Sequence, residues 1–323
     1  MSAYDVVGVG NAILDVLSHA DDDFLKLHGL NKGAMTLVSQ FEAEKLYGFS
    51  GPGIECSGGS AANTIAGIAS FGGRAAYIGK VANDQLGQVF AHDLKAIGVD
   101  YRTSLLENGA STARCLVMVT PDAQRTMLTY LGACVELGPE DIDPAIISAA
   151  SVTYLEGYLW DPPLAKEAFI KAANIAHNAG RRVALSLSDA FCVSRHREDF
   201  LKLIEGHIDI LFANESEIMS LYEVDNFDQA LQAVKGHCEI AALTRGPKGS
   251  VAIAGDEVYI IDAEKISQVV DTTGAGDLYA AGFLYGLTQN RSLADCARIG
   301  GIAAAHIISH FGARPEIQLK TLL

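Results

Sequence analysis

Residues 271–287 read DTTGAGDLYAAGFLYGL, a glycine-rich turn directly before an apolar stretch of helical period. Glycines let the backbone come close to a ligand, and the first N–H groups of a helix have no partner inside the helix. Together with the helix dipole, these donors are typical of a phosphate site. The stretch therefore predicts a strand-to-helix turn of an α/β fold that binds a phosphate.

Asp277, the last residue of this turn, has two interpretations. Beside a bound phosphate its charge is unfavourable, unless the carboxylate takes a proton from an attacking hydroxyl. An aspartate at the start of a helix is equally an ordinary helix cap. The residues of this segment leave both interpretations open.

A second glycine-rich stretch, GGSAANTIAGIASFGGRAAYIGKVANDQLG, occupies residues 58–87. Gly58 and Gly59 allow close approach of the backbone, and Asn63, one turn into the predicted helix, offers an amide to a polyhydroxylated ligand. A tight loop with small residues for helix–sheet packing explains the same pattern. Taken alone, the pattern favours this structural interpretation.

Short β-branched runs alternate with segments of helical period along most of the chain. The predicted strands are 5–9, 76–79, 152–156, 183–187, 208–212 and 240–244. The predicted helices are 61–71, 85–97, 164–179, 215–222, 227–236, 277–288 and 293–309. This order predicts an α/β fold with a mainly parallel sheet sandwiched by helices.

Residues 16–50 and 102–135 do not follow this alternation, because they are rich in Thr, Ser, Val, Leu and Met and lack a clean crossover helix. Within the second segment, strands at 113–120 and 125–130 are predicted to form a hairpin that turns at Pro121-Asp122. We expect both segments to build a small discontinuous β-rich lid over one edge of the sheet, within one domain of residues 1–323.

The exit of the first strand reads GVGNAILD from Gly8 to Asp15. It lacks the third glycine of a dinucleotide-binding GxGxxG motif, since Ile13 stands there. Asp15 suits the binding of neighbouring sugar hydroxyls, although a turn aspartate bonded to nearby N–H groups is the commoner arrangement for such a residue.

Two further motifs are open to structural and functional interpretations. Asn214 and Glu217 have the spacing of a helix capping box, and a role for Glu217 in ordering water around Mg²⁺ needs outside support. The segment TRGPKG at 244–249 either wraps phosphates or turns a hairpin between two strands. A Walker-type GxxxxGK[ST] loop does not occur in the sequence.

Composition narrows the class of partner. Acidic residues outnumber basic residues 39 to 24, which argues against nucleic acid and anionic membranes as partners. The start of the chain lacks the basic region of a signal peptide, and no apolar stretch approaches the roughly 20 residues of a membrane helix. The six cysteines are scattered without a CxxC pair. We therefore expect a soluble cytoplasmic protein with reduced thiols and a small-molecule ligand.

The two glycine-rich stretches, in this order, resemble the two signatures of the PfkB carbohydrate kinase family, whose fold is called ribokinase-like. The first strand with Asn11 and Asp15, the motif at 214–217 and the motif at 244–249 also follow in the order of that family. The resemblance extends over about residues 4–315. It implies a ribokinase-like α/β fold with a lid, ATP and Mg²⁺ as cofactors, and phosphoryl transfer to a hydroxyl.

The resemblance also implies roles for individual residues. Asp277 would be the catalytic base, and the anion hole for the transferred phosphoryl group would be Gly274, Ala275 and Gly276. Arg125 would close over the phosphates and Phe191 would stack on a base. The remaining substrate-side residues are Asn11, Asp15, Gly58, Gly59, Asn63 and Thr273. The nucleotide side would comprise Thr244, Gly246, Gly249, Ala304 and His306, and magnesium would be organised by Asn214 and Glu217.

Within the family, the stretches 10–30, 185–204 and 208–217 resemble adenosine kinases more than ribokinases or fructokinases. They imply the 5′-hydroxyl of adenosine or a related nucleoside as acceptor. Met35 and Leu159 depart from the adenosine kinase pattern, so a sugar of the ribokinase or fructokinase type is the alternative. A non-catalytic nucleoside or sugar sensor is disfavoured by Asp277, and a nicotinamide-dependent oxidoreductase by the missing glycine. The sequence does not set the oligomeric state.

Overall fold

The computed structural model describes residues 2–122 and 124–323. The strands are β1 (Tyr4–Val9), β2 (Ile13–His19), β3 (Met35–Leu37), β4 (Gly53–Ser57), β5 (Ala75–Ile78), β6 (Asp100–Tyr101), β7 (Ala113–Val119), β8 (Arg125–Tyr130), β9 (Ala150–Glu156), β10 (Arg182–Ser186), β11 (Ile210–Asn214), β12 (Ile240–Thr244), β13 (Ser250–Ala254) and β14 (Glu257–Ile261). The α-helices are α1 (Asp22–Leu27), α2 (Gln40–Tyr47), α3 (Ser60–Ser70), α4 (Gln85–Ala96), α5 (Pro144–Ala149), α6 (Pro163–Asn178), α7 (Ala190–His207), α8 (Glu215–Tyr222), α9 (Phe227–Val234), α10 (Ala275–Thr288) and α11 (Leu293–Ile307).

The larger sheet has the strand order β14-β13-β12-β11-β10-β9-β1-β5-β6. In this order, all neighbours from β12 across to β6 pair in parallel. At the other edge, β13 and β14 are antiparallel additions. Side chains of β1 alternate between two apolar clusters, with Val7 and Val9 in one and Val6 in the other. Burial on both faces explains why these strands are continuous apolar runs. The predicted α/β fold is confirmed, and the six strands predicted outside the hairpin all lie in this sheet.

A second sheet has the order β3-β8-β7-β2-β4. Its strands come from two separate segments of the chain, residues 13–57 and 113–130. The predicted hairpin is present, because β7 and β8 pair antiparallel with Val119 opposite Arg125. The first of these segments is longer than the predicted 16–50, since β2 starts at Ile13 and β4 ends at Ser57. That this sheet acts as a lid remains a prediction.

The helix α7 was not predicted. Its sequence SRHRED at 194–199 lacks a clear apolar period, and the backbone leaves helical geometry at His196 with φ −122° and ψ 21°. Asp189 caps its start, since the Asp189 side chain accepts a hydrogen bond from the Cys192 N–H at 2.5 Å. No helix among the described residues is long and apolar enough to cross a membrane.

The strand order reverses between β1 and β9. From β1 the sheet continues through β5 and β6 in one direction, and from β9 it continues through β10, β11 and β12 in the other. Ligands of open parallel sheets bind in the crevice at such a reversal, outside the carboxyl ends of the strands. The residues at these carboxyl ends, from Asn11 after β1 to Thr244 at the end of β12, therefore define where a site is expected.

The cysteines are free thiols, as expected from their scatter. Four are buried and two are partly buried. Burial raises the pKa of Cys56, Cys115 and Cys192 to about 12, so these thiols are neutral near pH 7.

Candidate active site

A cavity of about 770 Å³ lies between the carboxyl edge of the main sheet and the second sheet. Its lining brings together Asp15, Asn63 and Asp277, which are far apart in the sequence. Residues after β1, β9, β10, β11 and β12 also line it, as the reversal of strand order predicts. The two glycine-rich turns therefore meet in one place.

Asp277 lies in the first turn of α10 and does not cap this helix. The N-cap is Gly274, and no side chain caps the helix start. The Asp277 carboxylate instead accepts hydrogen bonds from Ser60 Oγ at 2.6 Å and from Asn63 Nδ2 at 2.9 Å, one on each oxygen. Burial raises its pKa, although these hydrogen bonds and the charges of Arg125 and Arg314 oppose the rise. The arrangement excludes the ordinary cap and leaves a carboxylate oriented toward a cavity.

The loop before α10 is organised by Asp271, which the sequence analysis did not single out. Its carboxylate is fully buried and accepts hydrogen bonds from Thr273 N at 2.9 Å, Thr273 Oγ1 at 2.5 Å and Gly312 N at 3.0 Å. Gly274 has φ +77°, and a Cβ there would lie 2.9 Å from the Ala313 Cβ. Thr273 lines the cavity, but its hydroxyl is used by Asp271. Residues 274–276 are thereby held at the cavity wall.

Asp15 lies in β2, and its carboxylate has no hydrogen-bond partner among the described residues. Gly58 leaves room for it, because a Cβ at Gly58 would lie 2.0 Å from Asp15 Oδ2. Gly59 has φ +86°, and a Cβ there would lie 2.2 Å from the Asn11 carbonyl oxygen. Burial raises the pKa of Asp15 to about 7, and the charge of Arg314 partly opposes this rise. The glycine pair thus shapes a space around a carboxylate that is free to accept hydrogen bonds.

Asn63 carries an unused acceptor. Its amide nitrogen donates to Asp277, while its Oδ1 is buried and has no partner among the described residues. Buried polar atoms are almost always hydrogen-bonded, so this oxygen calls for a donor on a ligand. A hydroxyl in the cavity would supply that donor.

Glu156, at the end of β9, is a cavity residue that the sequence analysis missed. It accepts hydrogen bonds from Asn11 Nδ2 at 2.9 Å and from the Ala61 N–H at 2.7 Å, which tie the end of β1 and the start of α3 to β9. Burial raises its pKa to about 7, and both hydrogen bonds oppose the rise. The Asn11 side chain is thus engaged within the protein, although Asn11 lines the cavity. The sequence feature that could have identified Glu156 is its position as the last residue of the predicted strand 152–156.

Asn214 and Glu217 form the capping box that their spacing indicates, and both line the cavity. Both Glu217 oxygens accept from Asn214, at 2.8 Å from its N–H and 2.5 Å from Nδ2. The described residues hold no group of three or more His, Cys, Asp or Glu able to bind a metal ion. Mg²⁺ commonly binds one or two carboxylates together with phosphate oxygens and water. The pair therefore fits a magnesium ion only through water, beside phosphates.

The segment 244–249 turns a hairpin, since Thr244 of β12 lies opposite Ser250 of β13. Thr244 and Gly246 also line the cavity. Gly249 does not line it; it has φ +84°, and a Cβ there would lie 2.0 Å from the Ile261 carbonyl oxygen. Gly249 is therefore explained by the turn.

Two arginines flank the glycine turns. Arg125, on β8, lines the cavity, and its Nε lies 4.0 Å from Asp271 Oδ1. Arg314 was not singled out from the sequence; its guanidinium donates to the carbonyl oxygens of Ser57 at 2.8 Å and Gly58 at 3.4 Å. Arg125 thus brings a positive charge from the second sheet to the glycine-rich turn before α10.

Besides Gly58 and Gly249, three predicted site residues do not line this cavity, namely Phe191, Ala304 and His306. Phe191 is 61% exposed, and its ring carries the Arg195 guanidinium at 4.7 Å. Ala304 and His306 lie on α11, where burial and the neighbouring His310 lower the pKa of His306. The ligand contacts of these three residues remain predictions.

The chain is similar to a family of kinases and to kinases of known structure. A family model described as pfkB family carbohydrate kinase matches residues 55–319. The structure of adenosine kinase from Sinorhizobium meliloti is 52% identical, with a TM-score of 0.96, 99% of this chain and 98% of that chain covered. A probable sugar kinase from Rhizobium etli CFN 42 is 51% identical, with a TM-score of 0.97 and coverage of 100% and 98%. The curated 5-dehydro-2-deoxygluconokinase of Shouchella clausii (strain KSM-K16) is 27% identical, with coverage of 78% and 80%.

Proposed function

The chain belongs to the PfkB family of carbohydrate kinases, phosphotransferases that act on hydroxyl groups, and we propose that it transfers the γ-phosphoryl group of ATP to the 5′-hydroxyl of adenosine or a related nucleoside. The observation that carries this proposal is the placement of Asp277 with Asp15 and Asn63 in one cavity. The 52% identity to an adenosine kinase supports a nucleoside acceptor, and the 51% identity to a probable sugar kinase keeps a sugar as the second candidate.

The ribose is bound by the unpaired polar groups of the cavity. Asp15 has a carboxylate without a protein partner among the described residues, so it accepts hydrogen bonds from two neighbouring hydroxyls. Asn63 Oδ1, buried and unpaired, accepts a third. Hydrogen bonds to a charged acceptor are the stronger kind, so Asp15 supplies the larger share of binding.

The transfer uses Asp277 as general base. The 5′-oxygen attacks the γ-phosphorus, the bond from that phosphorus to the β–γ bridging oxygen breaks, ADP leaves, and Asp277 takes the hydroxyl proton. The N–H groups of Gly274 and Gly276 at the start of α10 face the negative charge on the transferring group, and the Ala275 N–H between them donates to the Thr272 carbonyl oxygen at 3.3 Å. Mg²⁺ bound with ATP would neutralise phosphate charge, and Glu217 with Asn214 would hold its water. Arg125 approaches the same charge from the second sheet.

A sugar acceptor is the second candidate function. The probable sugar kinase from Rhizobium etli is as similar to this chain as the adenosine kinase is. The phosphoryl-transfer residues serve either acceptor, because Asp277 needs only a primary hydroxyl. A non-catalytic sensor on the same fold is less favoured, since a binder gains nothing from a carboxylate beside a phosphate.

An acceptor screen tests the proposal. Substrate-dependent ADP release is measured with ATP and Mg²⁺ and, in turn, adenosine, inosine, guanosine, ribose, fructose and 5-dehydro-2-deoxygluconate. Adenosine is expected to give the highest kcat/KM. If a sugar gives the highest kcat/KM, the sugar kinase is the correct function. If acceptors bind without ADP release, the sensor is supported.

A further inference from the structure

A second polar wall of the cavity is not used by the proposed transfer. It consists of the turn after β9, which carries Asp161, and the start of α7, which carries Arg195; both residues line the cavity. Arg195 Nη1 lies 3.2 Å from Asp161 Oδ1, and His196 Nε2 bonds the same oxygen. The second oxygen, Asp161 Oδ2, has no partner among the described residues. The wall therefore presents a free acceptor beside a guanidinium group.

The two loops that carry this pair are fixed to each other. The Tyr158 N–H donates to Ser188 Oγ at 3.1 Å, and Cys192 Sγ donates to the Gly157 carbonyl oxygen at 3.4 Å. Ser188 has φ +74°, an unfavourable conformation for a residue other than glycine. A Cβ at Gly157 would lie 2.7 Å from the Ser186 carbonyl oxygen, so the loops approach as closely as glycine permits. Such strain is typical of walls that position functional groups.

The charge balance of the wall indicates what it binds. Asp161 neutralises Arg195, and the Arg195 guanidinium also lies 4.7 Å from the Phe191 ring. The arginine is therefore not a free cation for the carboxylate of a sugar acid. A free carboxylate oxygen beside N–H donors instead complements a neutral group that offers a donor next to an acceptor.

We infer that Asp161 and Arg195 determine specificity for the base of the nucleoside, with Asp161 Oδ2 accepting from an exocyclic amino group and Arg195 donating to the adjacent ring nitrogen. The inference rests on the proposed function and deepens it, because it names an amino-substituted purine over an oxo-substituted one. A purine with an amino group at C6 offers this donor and acceptor side by side, whereas inosine has a carbonyl oxygen at that position.

The substitution Asp161→Asn tests the inference through substrate preference. Its carbonyl oxygen must stay toward Arg195 and His196, because the guanidinium lies 3.2 Å from that position and the imidazole Nε2 bonds it, so the amide nitrogen replaces the free oxygen. The variant then offers a donor where adenosine needs an acceptor. We expect the ratio of kcat/KM for adenosine to that for inosine to fall by about 10- to 100-fold. Asp199→Asn is the matched control, because Asp199 pairs with Lys166 at 2.6 Å and does not line the cavity.

A second variant keeps the inference testable if Asp161→Asn does not fold. Arg195→Lys keeps the ion pair with Asp161 but loses the planar fork of donors, so kcat/KM for adenosine should fall by about tenfold with an unchanged unfolding temperature. If Asp161→Asn lowers kcat/KM equally for both nucleosides, so that the adenosine-to-inosine ratio is unchanged, this inference is overturned and the proposed function is not. A wild-type enzyme that turns over sugars but no nucleoside overturns the proposed nucleoside substrate, and the inference with it.

Discussion

Two carboxylates in the same cavity differ in their hydrogen bonds, and this difference separates their roles. Asp277 is held by one donor on each oxygen, from Ser60 and Asn63, so its orientation is fixed. Asp15 has no such partner among the described residues, so its oxygens are free for a ligand. Burial raises the pKa of both. A fixed carboxylate suits a base that must meet one proton, and an unpaired one suits the binding of hydroxyls.

Replacing Asp277 by Asn should remove the base while leaving both ligand sites in place. The amide has nearly the same shape as the carboxylate, and we expect kcat to fall by about 10²- to 10⁴-fold. Steady-state ADP release measures the loss, and calorimetric titration measures nucleoside and ATP binding. Turnover close to that of the wild type would show that Asp277 is not the base.

Replacing Asp15 by Asn should weaken substrate binding and stabilise the unliganded protein. The buried charge without a protein partner destabilises the unliganded protein near pH 8, so the variant should unfold a few degrees higher. Loss of hydrogen bonds to a charged acceptor should raise KM by about 10- to 100-fold, with a smaller change in kcat. Thermal unfolding without ligand and a KM measurement check both effects. A lower unfolding temperature together with an unchanged KM would contradict this role of Asp15.

At the scale of elements, the site depends on the close packing of α3 against α10. Gly67 on α3 has no room for a side chain, because a Cβ there would lie 2.6 Å from the Ala281 Cβ of α10. This contact sets the distance at which Ser60 and Asn63 reach Asp277. The small residues of both glycine-rich stretches therefore serve helix packing, while residues of their first turns line the cavity. The packing interpretation of these stretches is therefore confirmed at Gly67, and the ligand-binding interpretation remains a prediction.

Gly67→Ala should push α3 away from α10. Overpacking of a close contact costs about 1–3 kcal/mol of stability, and longer bonds to Asp277 should lower kcat more than they change KM. The matched control is Gly301→Ala on α11, where a Cβ meets nothing within 4 Å. Chemical denaturation and steady-state kinetics of both variants give the comparison. Equal effects in the two variants would rule out the packing argument.

At the scale of the whole molecule, the cavity collects buried carboxyl groups whose pKa values are raised. Burial raises the pKa of Asp15, Glu156 and Glu217 to about 7 each. In the folded protein these groups bind protons at a pH where the unfolded chain has released them. Their contribution to the free energy of unfolding is therefore greatest near pH 4 and is lost as the pH rises through 7.

The unliganded protein should unfold at a higher temperature at pH 5.5 than at pH 8, whereas kcat/KM should rise over the same range. Activity needs the ionised forms of Asp15 and Asp277, so stability and activity respond to pH in opposite directions. Thermal unfolding and kinetics at both pH values measure this, and Asp15→Asn should reduce the difference in unfolding temperature. An activity that increases toward pH 5.5 would contradict the role of both carboxylates.

The sequence by itself determined the α/β class, six strands of the parallel sheet, the hairpin of the second sheet and the motifs of the site. These features depend on local period, turn chemistry and residue order, which a single chain displays. The pairing of Asn63 with Asp277, the buried supports Asp271 and Glu156, and the wall of Asp161 and Arg195 were decided by the tertiary structure. Each joins residues from distant segments at the carboxyl edge of the sheet, and no local pattern encodes such a contact. The same reason explains Phe191, for which the family resemblance implies a base contact and which the fold leaves 61% exposed outside the cavity lining.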